Sequence, residues 1–176
     1  MKKILLTTIV LFTVFTAFSQ RFAYVNTEYI LSNMAEFSDA QKKVDTFSED
    51  WRAEIARQQK DIDDTYRAFQ NEQYLLTEEV KKSRIQEIEN KERALKEYQK
   101  VKFGYEGELF QKREELIKPI QDKVYTAIEK LAKERGYDFI FDKANSTTIL
   151  FADTKNDRSD DVLRSMGITP GQNTNK

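Results

Sequence analysis

Histidine and cysteine are both missing from the 176 residues, and glycine and proline occur only 5 and 2 times. Without the first two there is no Ser-His-Asp or Cys-His nucleophile, no thiol redox chemistry and no His/Cys zinc site. Carboxylates alone could still hold Ca²⁺ or Mg²⁺. The sequence has no D-x-D-x-D-G loop, however, and no Gly-rich phosphate loop or serine elbow. The doublets Asp63-Asp64 and Glu114-Glu115 are adjacent in sequence, so their carboxylates do not face each other on a helix. No catalytic residue, cofactor or metal is therefore expected, and an enzyme is not the reading. A surplus of one charge sign is also absent: 29 basic residues meet 30 acidic ones, for a net charge of -1. That is not the positive field of a nucleic-acid binder. A chain so poor in turn formers, with 34% charged residues, reads as long solvated helices.

The first residues follow another pattern. Met1-Lys2-Lys3 is a basic start, and a mostly apolar run from Ile4 to Phe15 follows, short for a transmembrane helix. Ala17 and Ser19 then place small residues at the -3 and -1 positions of a cut before Gln20. Residues 1–19 read as a secretory signal peptide cleaved between Ser19 and Gln20, leaving no integral membrane segment. No cysteine follows the apolar run, which excludes a lipoprotein anchor. An exported protein that needs no disulfide suits the periplasm.

The remainder divides into a small body, residues 20–37 and 119–167, and an arm, residues 38–118, with a polar, disordered tail over 168–176. In the body, Arg21 to Asn26 alternates like a short strand, and Asn26 or Thr27 caps a short helix through Tyr29, Ile30 and Leu31. Ser38 and Gln41 have the spacing of a capping box that would start the arm. Along it, Ala40, Val44, Phe47, Trp51, Ile55, Ile62, Tyr66 and Phe69 form one narrow apolar stripe. Thr77-Glu78-Glu79 starts a return helix with its own stripe at Ile85, Ile88, Leu95, Tyr98, Tyr105, Leu109 and Leu116. Two such stripes predict an antiparallel coiled-coil hairpin that turns near Tyr74 to Thr77.

Pro119 marks the expected junction of arm and body by interrupting the helix, which continues to Arg135 and stops at Gly136. Tyr137–Phe141 and Thr147–Phe151 are expected to pair as a β-hairpin around Lys143 to Ser146. Ser159-Asp160-Asp161 is expected to cap a last helix, Val162–Met166, ended by Gly167. The fold class is α+β, mainly α: a small β body with a long, tentacle-like coiled-coil hairpin. A body of this size buries too little surface to be comfortable alone, so a homo-oligomer is expected, joined through the body.

Two features of the return helix invite a functional reading. Gly104 and Gly107 are costly inside a helix. Reflected about the turn, they lie beside Trp51 and Phe47, so they either relieve crowding there or form a hinge. Phe103, Phe110 and Ile117 are apolar, off the stripe and spaced by seven. The row either packs against a neighbour, most plainly at Ile117, or, at Phe103 and Phe110, holds apolar client segments.

The signal peptide, the Phe22-Ala23-Tyr24-Val25-Asn26-Thr27 start, the charged hairpin, Tyr137-Asp138-Phe139-Ile140-Phe141-Asp142 and Ser159-Asp160-Asp161-Val162-Leu163 together resemble the Skp/OmpH family of periplasmic chaperones. The resemblance spans essentially all of residues 20–176. It implies a trimer in which three bodies share a β-barrel and three hairpins surround a cavity. It also implies an ATP-independent holdase for unfolded outer-membrane proteins. The best-known members are strongly basic and this chain is not, so no lipid-binding site is carried over. The alternative is a periplasmic coiled-coil scaffold that binds a folded partner through the hairpin tip.

Overall fold

The computed structural model describes residues 20–144 and 149–171. The expected signal peptide, with Ser19, the hairpin turn at Asn145-Ser146 and the end of the tail lie outside the described residues. Two compact units emerge, residues 34–123 and a second made of the chain on either side of them.

In the second unit, which we call the body, strand β1 (Phe22–Val25) leads into helix α1 (Thr27–Ser32). Asn26 caps α1 as expected, its Oδ1 accepting from the Tyr29 N–H at 3.0 Å. Strand β2 (Phe139–Asp142) does not form the expected hairpin. It runs parallel to β1, pairing Phe22 with Phe139 and Val25 with Asp142. Parallel neighbours require a long crossover, and everything between the two strands supplies it. The expected partner strand fails where it can be seen, since Ile149–Phe151 has no strand structure. The free side of β1 is already used: Asp157 bridges to Tyr24, and the Arg158 N–H donates to the Tyr24 carbonyl at 2.9 Å.

The last helix also starts earlier than its sequence suggests. Helix α6 (Ser159–Ser165) includes Ser159 instead of being capped by it. Arg158 stands at the cap with no side-chain bond, and Asp157 before it accepts from the Ser159 N–H at 2.8 Å and from its hydroxyl at 2.6 Å. Gly167 ends this segment at φ +77, a conformation that favours glycine. Ile30, Leu163, Val25 and Val162 are almost wholly buried and form the centre of the body.

The other unit is the helical hairpin. Helix α2 (Ala35–Glu72) is 38 residues long, about 57 Å at 1.5 Å per residue. It begins at Ala35, so Ser38 lies within its first turn and the expected capping box does not form. Nothing between Met34 and Ser38 breaks a helix, and the Phe37 and Ser38 amides already donate to the Met34 carbonyl. A 3-10 turn at Gln73–Leu75 reverses the chain, and Thr77 caps helix α3 (Glu78–Phe103) through the Val80 N–H. Ile62, Ile88 and Leu95 form the buried seam, with Ile55 and Phe69 against it.

The return side is not one helix. It breaks after Phe103, resumes as α4 (Glu108–Leu116) and passes through Ile117 into α5 (Lys118–Arg135). Pro119 is the second residue of α5, where its missing N–H costs nothing. Gly136, at φ +65, stops that helix as expected.

Candidate functional site

Three apolar surfaces stand out, two on the hairpin and one on the body. The first surrounds the break in the return side. The Gly104 N–H donates back to the Lys100 carbonyl at 2.8 Å and closes α3. A Cβ at Gly104 would be driven into that same oxygen, and one at Gly107 would come within 2.8 Å of the Val101 carbonyl oxygen. The backbone at the break itself therefore calls for glycine at both positions. Glu106 between them takes φ +53, a conformation that non-glycine residues seldom adopt.

The break changes which side chains face where. Tyr105, assigned to the seam by its spacing, is 96% exposed. Phe103 and Phe110 no longer share one helical row, because residues 104–107 between them are not helical. Phe103 is half-buried edge-on against Trp51, ring centroids 6.0 Å apart. Phe110 is 49% exposed. Ile117 is half-buried at the junction of α4 and α5.

Trp51 also stacks on Phe47 at 5.8 Å, and the Lys102 ammonium sits 4.9 Å above the Trp51 ring and 5.4 Å from that of Tyr98. Lys102 is paired with Glu108 across the break. Lys112 of α4 covers Phe47 at 5.4 Å. Cations over aromatic faces are attracted by the ring quadrupole.

The second surface is the hairpin tip, where Tyr74 and Leu75 are each 87% exposed. Most other ion pairs on the hairpin join solvated residues one turn apart, such as Lys60–Asp64 and Arg57–Glu54. Lys91 is different. It crosses the hairpin to donate to Asp61 at 2.8 Å and Thr65 at 3.0 Å, and the Asp61 bond holds its pKa above the ordinary lysine value.

The third surface is on the body. Phe22, Phe139 and Phe141 stack on the sheet with centroids 5.7 to 6.4 Å apart, each about half-exposed. Beside them, Leu150 and Phe151 lie almost fully exposed along an open groove of about 690 Å³. Elsewhere in the body, polar contacts join distant parts of the chain. Tyr29 donates to Asp160 at 3.0 Å, and burial followed by that carboxylate raises its pKa. Asp142 accepts from the Thr27 hydroxyl and from the Thr27 and Ala144 amides. Burial alone would raise the Asp142 pKa, but these donors hold it below the ordinary value.

Among the described residues no group of acidic side chains could hold a metal ion, and no helix is long and apolar enough to cross a membrane. Gln20 is exposed at the start of the described chain. Sequence reasoning missed Tyr105, the Lys102–Trp51 contact and the tip pair. The signal for the first two was available: glycines three residues apart read better as a helix break than as tolerated helix residues.

No curated protein matches the chain. Among solved structures, it is similar to a proposed outer membrane chaperone (OmpH-like) from Caulobacter crescentus CB15. The TM-score is 0.66 at 10% identity, covering 84% of each chain, so the likeness is one of fold. Residues 21–166 match the family described as outer membrane protein (OmpH-like), and the chain belongs to that family.

Proposed function

We propose that this protein is an ATP-independent periplasmic holdase, exported by a cleaved signal peptide, that keeps unfolded outer-membrane proteins soluble. The family match over residues 21–166 carries this reading. The surfaces support it physically. A holdase must make many weak apolar contacts without demanding one client shape, and scattered rings such as Tyr105 and Phe110 on a charged hairpin suit that task. Phe110 is the client contact of the original pair, while Phe103 is chiefly a packing residue. The exposed Phe22, Phe139 and Phe141 face is where copies would assemble, as a trimer in the arrangement the resemblance implies. A two-stranded sheet is marginal by itself, so added strands from other copies would also stabilise it.

The test is aggregation of an unfolded outer-membrane β-barrel protein diluted from denaturant, followed by light scattering without nucleotide. The protein should suppress scattering. Phe110→Ser should weaken suppression at an unchanged melting temperature, whereas Phe103→Ser should lower the melting temperature. Undiminished scattering with the parent protein would refute the reading.

The 87% exposure of Tyr74 and Leu75 favours a second reading, a scaffold that binds a folded partner through the tip. In that case Tyr74→Ser with Leu75→Ser would abolish partner capture, and the parent would leave aggregation untouched.

A further inference from the structure

The return side of the hairpin has one weak point in its backbone. Gly104 is the last amide bonded into α3, and Gln111 donates to the Gly107 carbonyl to open the bonding of α4. Between them, among the described backbone bonds, only the Gly107 N–H spans the gap, to the Gly104 carbonyl at 2.9 Å. One such bond does not fix the setting of two helices, so side chains must contribute. Several of them meet at Lys102. Its ammonium belongs to α3, pairs with Glu108 in the first turn of α4, and lies over Trp51 of α2. The lysine side chain is 17% exposed and that of Glu108 39%, so the pair is screened by water and salt on the glutamate side only. Lys112 of α4 meanwhile covers Phe47, which stacks on Trp51.

We propose that residues 104–107 are a latched joint, closed by the Lys102–Glu108 pair over the Phe47, Trp51 and Phe103 cluster. When the pair parts, α4 turns about the two glycines without unfolding either helix. Lys112 lifts from Phe47, Lys102 leaves Trp51, and the aromatic cluster is uncovered. The latch thus controls how much apolar surface this stretch of the hairpin shows. Backbone freedom at Gly104 and Gly107 permits the motion, and the strained Glu106 favours release. The joint stands apart from the chaperone reading, since its readouts need no client.

Trp51 is the chain's single tryptophan, so its fluorescence reports this cluster alone. Glu108→Gln removes the charge at nearly unchanged shape, and Lys102→Met removes both the pair and the cation over the rings. In the full-length protein, hydrogen exchange of residues 104–110 should quicken roughly three- to tenfold in Glu108→Gln. Acrylamide should quench Trp51 more strongly in the same variant, while exchange around Ile62 and Ile88 stays at the parent rate. Lys102→Met should produce the same local changes, more strongly. If it does not fold, Glu108→Gln decides alone. Parent-like exchange at 104–110 in Glu108→Gln would overturn the latch. So would faster exchange spread evenly along the hairpin, which would make the pair an ordinary support of the fold.

Discussion

The hairpin and the body are held together in opposite ways. Along the hairpin, most of the ion pairs join residues one turn apart, Lys91–Asp61 and Lys102–Glu108 being exceptions, and the buried seam repeats a few apolar side chains. In the body, local bonds are joined by partners more than a hundred residues apart: Arg21 with Asp138, Asn26 with Ser159, Thr27 with Asp142 and Tyr29 with Asp160. A hairpin built from short-range contacts can loosen at one point and stay helical elsewhere. A body stitched from both ends of the chain loses several contacts with any one segment. That contrast suits a division in which the body assembles and the hairpin adapts.

The contrast sharpens first at buried isoleucines. Ile30→Ala in the body should cost about 2–5 kcal/mol, since the site is fully enclosed. Ile88→Ala in the hairpin should fall at the low end, about 2 kcal/mol, because its open surroundings can close over the gap. Native-state hydrogen exchange reads the two units separately. Equal costs would remove the distinction.

At the joint, Gly104→Ala must push its Cβ away from the Lys100 carbonyl oxygen, at a cost of about 1–3 kcal/mol. Glu106→Gly should do the reverse, relieving a left-handed residue and gaining about 1 kcal/mol. Thermal unfolding followed by Trp51 fluorescence checks both, and matching signs would contradict the strained turn.

Asp142 tests the long-range stitching. Asp142→Asn should cost about 1 kcal/mol at neutral pH, a modest figure because the carboxylate is largely exposed. Its folded pKa lies below the unfolded value of about 3.9. Its stabilisation is therefore complete above that value and is lost as the pH falls through the depressed folded pKa. The parent should lose body stability relative to Asp142→Asn below about pH 4. Parallel pH profiles would remove Asp142 from the account.

The smallest effect is expected at Lys60. Lys60→Ala breaks an exposed pair with Asp64 and should leave the melting temperature within measurement error.

The same division explains what could be read from the sequence. The middle of both hairpin seams, the Thr77 cap, the Asn26 cap and the Gly136 stop are local patterns that appear where their spacing puts them, whereas Tyr66 and Ile85 of the expected stripes are exposed. The pairing of β2 was not legible, because nothing near Phe139–Asp142 records that β1, more than a hundred residues earlier, is its neighbour. Ser159 misled for a related reason: its hydroxyl is engaged by Asp157 and by the distant Asn26 amide. Phe103 and Tyr105 were misplaced by a heptad count carried through Gly104 and Gly107, where the helix stops.

The central claim, that copies assemble and then hold a client, is tested most directly by the mass of the mature protein in solution. Multi-angle light scattering should give an oligomer, a trimer in the arrangement proposed, and adding an unfolded outer-membrane protein should raise that mass by the client's own. A monomer, or an oligomer whose mass the unfolded protein leaves unchanged, would contradict the account.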